Sequence, residues 1–311
     1  MTDRPSFGDS VQNAAAQGAR LLLPLVDSLL PRVASMSQQA LFTDPVQWTR
    51  TILQTTDLVG GDAIAVCVDP DMTLVGCGAR LVWEEGSKHC EETITLTDTL
   101  DKTAIDPYLQ MVEGVVKSPL RNKSCAVALL GPATLALRIF NETPSKTHFN
   151  AVKSHLTALA EIICQQRPEL LMFLEDESAL AQTPLADLRR IYSTLSNVAR
   201  YYDVGTGILT EAITPEQAAA LAKLKLDALM VCGHMDVDAM SGLLDAAGDW
   251  SLLGLSLPLN DSDQLRSVLT ALDTRFAAHI GLFYLTPGQL PQDSDLESLR
   301  DVKKAFSAAT C

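Results

Sequence analysis

Short apolar runs alternate with amphipathic segments along most of the chain after residue 60. Each apolar run is followed by a stretch in which hydrophobic residues recur at helical spacing. This alternation is typical of a parallel sheet covered by helices on both faces, because parallel strands need crossover connections. The pattern predicts seven strands, at 62–69, 125–130, 170–174, 202–209, 228–231, 252–257 and 279–285. Helices are predicted after residue 132 and at 105–117, 148–166, 185–199, 215–225, 237–247, 261–272 and 296–309.

Two earlier segments fall outside this alternation. Residues 11–36 are rich in Ala, Leu and Gln and predict a helix with two prolines as kinks. Asp44 and Pro45 predict the start of a second helix, which runs to about Leu58, because Asp caps a helix and Pro fits its first turn. Residues 73–96 contain short segments typical of β-strands on both sides of a Gly-Ser pair and predict a hairpin insertion.

A parallel sheet of this kind is either an open doubly wound sheet or a closed barrel. No G-x-G-x-x-G follows the first strand and no G-x-x-x-x-G-K-[ST] occurs, which disfavours the open nucleotide-binding sheet. A barrel needs about 250 residues, which residues 60–311 supply, and its eighth strand is expected within 20–45 or 73–96. We therefore predict an α/β fold: a TIM (β/α)8-like barrel over 46–311, with an N-terminal helical segment at 1–45 and the β-hairpin insertion.

Composition and charge narrow the function classes. The chain has 311 residues, of which 47% are hydrophobic. Because no apolar run approaches the roughly 18 residues of a membrane span, no transmembrane segment is expected and a cytoplasmic location is predicted. A net charge of −14 and a pI near 4.7 would repel phosphate backbones, which argues against nucleic-acid binding. The seven scattered cysteines include no C-x-x-C and are expected to be free thiols.

The carboxyl ends of the predicted strands carry the candidate chemistry, because in barrels these ends form one mouth where active sites lie. Asp69 follows an apolar strand and is a candidate acid, base or cation ligand, with a turn cap as the alternative. Glu175, Asp176 and Glu177 would recognise an amine or another cation, with a solvated, helix-capping loop as the alternative. The other predicted mouth residues are Thr134, Thr210, Glu211, Asn260, Tyr284, Thr286 and Gln289.

Cys232 and His234 end the fifth predicted strand and would point to one side if the strand geometry persists. Both residue types bind zinc, but a zinc site needs three or four protein ligands. The nearest candidates for the missing ligands are Cys67, Asp69 and Glu177. The alternative is a buried thiol beside an unrelated loop histidine.

Several segments resemble motifs of one family of barrel enzymes. The segment 61–86 looks like the family's first strand, whose terminal Asp corresponds to Asp69. The segment "LLGPATLAL" (129–137) resembles a Gly-Pro-x-Thr-Leu-Ala motif, "FLEDESAL" (173–180) an Asp-Glu-Pro-Ala-Leu motif, and "ALMVCG" (228–233) a His-x-Cys-Gly motif; 284–305 resembles the C-terminal segment. The chain thereby resembles the uroporphyrinogen decarboxylase superfamily. That superfamily includes zinc-dependent cobalamin:thiol methyltransferases and, more distantly, the catalytic half of cobalamin-independent methionine synthase.

The resemblance implies a zinc site at the barrel mouth, and the chain departs from the family at its ligands. Cys232 matches the zinc cysteine, whereas Met230 stands where the family has His and Gln289 stands in place of the last cysteine. A thioether and an amide do not restore such a site, so His234 would have to substitute. The decarboxylase's N-terminal arginine motif, which grips substrate carboxylates, is also missing.

Three functions follow from these observations. The first is a methyltransferase-like enzyme that moves a methyl group between a small substrate and a corrinoid protein or thiol, with zinc as a candidate cofactor and corrinoid on a partner. Its predicted catalytic residues are Asp69, Cys232 and Glu177, and its predicted substrate-binding residues are Thr134, Glu175, Asp176, Tyr284 and Gln289. The second is a decarboxylase-like enzyme in which Asp69 stabilises a protonated tetrapyrrole, and the third is a non-catalytic ligand-binding or regulatory protein. The Leu-rich segment 21–33 is expected to cover the barrel bottom or to bind a partner, for example in a homodimer.

Overall fold

The computed structural model describes residues 4–66, 68, 71–84, 87–257, 281–288, 290 and 293–294. The predicted helices 261–272 and 296–309 and the candidate residues Cys67, Asp69, Asn260 and Gln289 lie outside the described residues. The strands are β1 (Leu22–Leu23), β2 (Ala63–Val66), β3 (Leu81–Glu84), β4 (Ser87–Cys90), β5 (Ser124–Leu130), β6 (Leu170–Leu174), β7 (Gly205–Thr210), β8 (Ala228–Val231), β9 (Leu252–Ser256) and β10 (Gly281–Leu285). The α-helices are α1 (Phe7–Ala16), α2 (Leu30–Ala34), α3 (Gln38–Phe42), α4 (Pro45–Leu58), α5 (Asp71–Gly76), α6 (Asp106–Lys117), α7 (Pro132–Phe140), α8 (Lys146–Gln165), α9 (Glu177–Gln182), α10 (Leu185–Tyr201), α11 (Pro215–Leu221) and α12 (Val237–Ala246), with 3-10 turns at Asp27–Leu29 and Ala222–Leu224. None of the described helices is long and apolar enough to cross a membrane.

Eight parallel strands form one nearly closed barrel, in the order β1-β10-β9-β8-β7-β6-β5-β2. Leu22 of β1 lies opposite Tyr284 of β10, and Ala63 of β2 lies opposite Ser124 of β5. The two end strands meet at Asp62, whose N–H donates to the carbonyl of Leu22 at 2.8 Å and whose Oδ2 accepts the Leu22 N–H at 3.1 Å. These bonds join the ends of the sheet, and the predicted α/β barrel is confirmed.

The eighth strand, β1, lies within 20–45, one of the two places expected from the sequence. The prediction of helix over 11–36 is therefore wrong in its middle, because α1 ends before Gln17 and helix resumes only at Asp27. Leu22 and Leu23 occupy the gap between β10 and β2, where strand backbone groups would otherwise lack partners. Strand pairing at this gap outweighs the local preference of the segment for helix.

Side chains alternate along each strand between the barrel interior and the surrounding layer of helices. On β8, Ala228 and Met230 belong to the interior cluster, whereas Leu229 and Val231 belong to the outer core against the helices. The interior is filled by apolar side chains, so a ligand must bind at an end of the barrel. The interior cluster includes Leu23, Leu25, Ala63, Ala65, Ala126, Ala128, Leu170, Met172, Leu209 and Phe283.

Helix α1 covers the amino-terminal end of the barrel. Ser6 caps the helix by accepting the Asp9 N–H on its hydroxyl at 3.1 Å, and the Asp9 carboxylate accepts the Ser6 N–H at 3.1 Å. The buried Phe7 ring packs edge-on against Phe283, with ring centroids 5.2 Å apart. The bottom is thus closed by α1, whereas the segment 21–33, for which that role was one expectation, supplies β1 and the start of α2.

The predicted hairpin insertion is confirmed as β3 paired antiparallel with β4. It is shorter than the predicted 73–96, because Asp71–Gly76 forms α5 instead. Lys88 of β4 pairs with the Asp71 carboxylate at 2.5 Å while its ammonium lies 5.0 Å from the centroid of the Phe42 ring. The Lys88 side chain is 5% exposed, so this buried ion pair fixes the hairpin to the helix that follows β2.

Candidate functional site

A cavity of about 760 Å³ opens at the carboxyl ends of the strands. This is the end at which barrel enzymes bind their substrates, and the volume is in the range of small-molecule sites. Two other large cavities, of about 630 and 540 Å³, lie beside α4 and beneath α1. Seven of the residues predicted at strand ends are brought together around the first cavity, which we call the mouth cavity: Glu175, Asp176, Glu177, Thr210, Glu211, Cys232 and His234.

Glu175 is the buried carboxylate of the mouth cavity, at the end of β6 and 3% exposed. Its Oε1 accepts hydrogen bonds from the Ala133 N–H at 3.1 Å and the Tyr192 hydroxyl at 2.6 Å. Its Oε2 accepts from the Thr134 N–H at 2.8 Å and the Thr134 hydroxyl at 2.7 Å. Ala133 and Thr134 lie in the first turn of α7, so the carboxylate also meets the positive end of a helix dipole. Glu175 thus joins β6, α7 and α10 within the cavity wall.

Burial and hydrogen bonding influence the protonation of Glu175 and Tyr192. Burial raises the pKa of Glu175, and the hydrogen bonds from Tyr192, Thr134 and Ala133 oppose that rise because they stabilise the charged carboxylate. Burial and the adjacent Glu175 carboxylate raise the pKa of Tyr192 well above its usual value. The phenol of Tyr192 therefore stays protonated at neutral pH and remains a hydrogen-bond donor to Glu175.

The close approach of Glu175 to α7 depends on a glycine. A Cβ added at Gly131 would lie 2.2 Å from Cδ of Glu175, far inside van der Waals contact. The hydroxyl of Thr134, which donates to Glu175, also accepts the Asp176 N–H at 2.6 Å. This connection fixes the backbone of the loop after β6 and so positions the next two carboxylates at the cavity.

Three other carboxylates of the mouth cavity are accessible to a ligand. Glu177 and Glu211 are exposed, and the side chain of Asp176 is 44% exposed. Arg138 lies across from Asp176, with its Nε 3.6 Å from Oδ2, and among the described lining residues it is the one with a guanidinium or ammonium group. The three consecutive carboxylates predicted from the sequence therefore divide into one wall residue and two accessible groups. The accessible side chains that line the mouth cavity therefore carry a net negative charge.

Cys232 lies just beyond β8 and packs against the interior cluster that contains Met230. Its backbone is held by a 3.0 Å hydrogen bond from the Cys232 N–H to the Thr210 carbonyl. Burial, reinforced by the negative charge of Glu211, raises the pKa of the Cys232 thiol to about 11, against weaker opposing hydrogen bonds. Cys232 is therefore a protonated thiol at neutral pH, while His234, two residues further, is exposed at the rim.

The described donors around Cys232 do not by themselves fit a zinc site. Within the part of the chain that the structure describes, no three His, Cys, Asp or Glu side chains are grouped so that they could hold a metal ion. Met230, which the sequence resemblance aligns with a zinc-binding histidine, is fully buried, and its Cε lies 2.7 Å from where a Cβ at Gly207 would be. Its Cγ lies 2.9 Å from where a Cβ at Gly254 would be. Glycines on both neighbouring strands thus leave space for a thioether, which is a poor zinc ligand.

Comparison with solved structures shows that other proteins share this barrel fold. No protein-family model and no curated protein matches the chain. The fold is shared with a methyltransferase from Methanosarcina mazei. That structure covers 98% of this chain and 99% of its own, with a TM-score of 0.72 and 11% identity.

A second solved structure has a related barrel. A B12-independent methionine synthase from a Shewanella species, in complex with selenomethionine, aligns with a TM-score of 0.59 and 13% identity, over 88% of this chain and 89% of that chain. At these identities the likeness establishes the fold alone. Both structures agree with the fold that the sequence resemblance implies, a TIM-like α/β barrel.

Two of the remaining predicted site residues, Tyr284 and Thr134, do not line the mouth cavity. Tyr284 is fully buried in the outer core between strands and helices and does not line the mouth cavity. Thr134 lies behind Glu175, to which it donates a hydrogen bond. Asp69 and Gln289 lie outside the described residues. The predicted substrate contacts of Tyr284 and Thr134 would thus have to be indirect.

Two residues of the site had no signal in the sequence. Arg138 and Tyr192 come from α7 and α10, whereas the site residues predicted from the sequence all follow strand ends. Tyr192 occupies an apolar position of an amphipathic helix, where a core aromatic residue has the same pattern. Arg138 lies in the last turn of α7, where a basic residue is favoured by the helix dipole alone.

Proposed function

We propose that this protein is a methyl-transfer enzyme that binds a small, positively charged, methylated substrate in the mouth cavity. The observation that carries the proposal is the set of accessible carboxylates Asp176, Glu177 and Glu211 around a cavity of about 760 Å³ at the catalytic end of the barrel. The shared fold with a methyltransferase supports the reaction class.

Charge and shape favour a small cation. Three carboxylates face one guanidinium among the described lining residues, while Leu130, Leu174 and Leu209 supply apolar wall. Carboxylates beside an apolar wall attract a cation more strongly than they would in open water, because the wall concentrates the field in the cavity. A methylated ammonium compound has both the charge and the apolar methyl groups that such a lining complements.

The chemistry of methyl transfer fits this lining. An acceptor forms a bond to the methyl carbon with its own electron pair, and the electron pair of the broken C–N bond stays on nitrogen. The substrate thereby changes from an ammonium ion to a neutral amine. Asp176, Glu177 and Glu211 hold the charged substrate while the C–N bond breaks. The amine product takes up a proton from water at neutral pH and leaves as an ammonium ion with one methyl group fewer. A thiol or the corrinoid of a partner protein would supply the accepting electron pair.

Cys232 and Glu175 have supporting roles in this proposal. With a pKa raised to about 11, the Cys232 thiol is a poor nucleophile at neutral pH and forms part of the cavity floor. Glu175 holds α7 and the loop after β6 in position through its four hydrogen bonds. Glu177, predicted to be catalytic, is assigned to binding of the cation.

Calorimetric titration with methylammonium chloride at low ionic strength tests the proposal. Glu177→Gln and Glu211→Gln should each weaken binding by roughly tenfold, the loss of about 1.4 kcal/mol of partly screened charge attraction. Glu161→Gln, an exposed residue of α8 away from the cavity, is the matched control and should leave the affinity unchanged. Absence of binding to the folded protein at millimolar concentration would contradict the proposal.

A non-catalytic ligand-binding protein is the second candidate, because Met230 fills the position of a catalytic ligand and the Cys232 thiol is protonated. It predicts the same cation binding without turnover. Demethylation of methylammonium in the presence of a reduced corrinoid or a thiol, followed by mass spectrometry, separates the two. The decarboxylase alternative is disfavoured, since a polyanionic porphyrinogen would meet three carboxylates and, among the described lining residues, one guanidinium.

A further inference from the structure

A second, smaller cavity adjoins the mouth cavity. Its volume is about 100 Å³, and it shares Glu177 and Ala212 with the mouth cavity. We call it the side pocket. It is formed by α9, the start of α10 and α11, and its walls are mainly the aliphatic side chains of Leu180, Leu185, Leu188, Ile213 and Leu221. The two cavities therefore join a charged region to an apolar one across a common border.

The elements around the side pocket are held by local bonds. Thr214 caps α11 by accepting the Gln217 N–H at 3.2 Å, while the Gln217 side chain accepts the Thr214 N–H at 2.9 Å. Leu188 is 1% exposed and Leu221 is 5% exposed, so both are anchored in the core. Thr183 donates its hydroxyl to the Ala179 carbonyl at 2.7 Å, which leaves that polar group satisfied. The side pocket is thus a formed apolar site.

We propose that the side pocket binds the short aliphatic chain of the substrate, which is then an N-methylated alkylammonium ion with three or four further carbons. The inference rests on the proposed function, because the nitrogen is taken to lie among the mouth carboxylates. Glu177 borders both cavities, so an ammonium group beside it places an attached chain next to the side pocket. The charged nitrogen of the substrate thus lies among carboxylates, and its aliphatic chain lies among aliphatic side chains.

The volume of the side pocket sets the size of the chain. An engineered apolar cavity of about 150 Å³ holds benzene, so about 100 Å³ accommodates three to four carbons. Burial of each methylene strengthens binding by about fourfold. A branched four-carbon chain of which three carbons are buried should therefore bind roughly 50-fold more tightly than methylammonium.

Calorimetric titration with N-methylisobutylammonium and with methylammonium tests this inference. The unmodified protein should bind the branched ion roughly 50-fold more tightly. Ala220→Leu places a larger side chain in the side pocket and should remove this preference without changing the affinity for methylammonium. Ala219→Leu is the matched control, because Ala219 is exposed on the same helix and does not line the pocket, and it should retain the preference.

The outcomes separate this inference from the proposed function. Equal affinity for the two ions, with both weakened by Glu177→Gln, overturns the role of the side pocket and leaves cation binding in the mouth. Failure of both ions to bind overturns the proposed function. If circular dichroism shows that Ala220→Leu does not fold, Ala212→Leu in the loop between the two cavities replaces it, and a retained preference in that variant contradicts the inference.

Discussion

The hydroxyl of Tyr192 donates a 2.6 Å hydrogen bond to Oε1 of Glu175, and both side chains are buried beside the mouth cavity. This bond connects α10 to the end of β6, from which the carboxylate reaches the first turn of α7. The shape of the cavity wall therefore depends on a polar contact that no ligand needs to touch.

Tyr192→Phe should destabilise the protein by about 2 kcal/mol, because the buried Glu175 carboxyl group loses one of its hydrogen-bond donors. Urea denaturation measures the change. Tyr201→Phe is the matched control, since Tyr201 is 80% exposed on the same helix and its substitution should change the free energy of unfolding little. Equal stability of the two variants would show that the Tyr192 hydroxyl does not stabilise Glu175.

Gly131→Ala should destabilise the protein by about 1–3 kcal/mol through overpacking, because the added methyl group would displace the Glu175 carboxylate from α7. Gly248→Ala is the control, since a Cβ there meets nothing within 4 Å. Thermal denaturation of both variants provides the comparison. If Gly131→Ala has the same melting temperature as the unmodified protein, the Glu175 carboxylate can move without a loss of stability.

Alkylation of Cys232 should be slow at pH 7 and should accelerate roughly tenfold for each pH unit until the pH approaches 11, because the raised pKa leaves little thiolate at neutral pH. Peptide mass spectrometry after iodoacetamide treatment follows this residue individually. Glu211→Gln removes the neighbouring negative charge, so it should lower the thiol pKa and speed the reaction at pH 8. A fast reaction at pH 7 in the unmodified protein would instead indicate an activated thiolate.

Protein purified without chelators from zinc-supplemented cells should hold well below one zinc ion per chain, because the described donors around Cys232 do not form a zinc site. A chelator should leave the melting temperature unchanged. Elemental analysis measures the metal content. One zinc ion per chain, lost in Cys232→Ser, would show that residues outside the described part of the chain complete a site.

Periodicity predicted most of the barrel because its strands are buried on both faces. The predicted strands at 170–174 and 228–231 coincide with β6 and β8, and the helix beginning at Pro45 is capped by Asp44 as expected. An eighth strand was expected within 20–45 or 73–96, but the residues of β1 were predicted as helix, because a strand of two residues is too short to show a period and its surroundings favour helix locally. Its strand conformation depends on pairing with β10, about 260 residues later in the chain.

The sequence predicted those parts of the candidate site that lie at the ends of strands. Placing the acidic residues at the end of β6 required only the position of the strand. Which carboxylate is buried depends on how closely α7 approaches, and that distance is set by Gly131 and Thr134 in three dimensions. The strand-end pattern and the resemblance both pointed to Cys232, but neither explains Met230, whose space is provided by Gly207 and Gly254 on neighbouring strands.

The pairing of Leu22 with Tyr284 has a consequence for biosynthesis. β1 leaves the ribosome early, yet its partner strand follows about 260 residues later, which at ordinary elongation rates is on the order of tens of seconds. Throughout that interval the apolar run from Leu21 to Val26, fully buried in the finished barrel, has no strand to pair with. Pairing of β1 with β10, and with it closure of the barrel, is therefore expected to be a late step of folding.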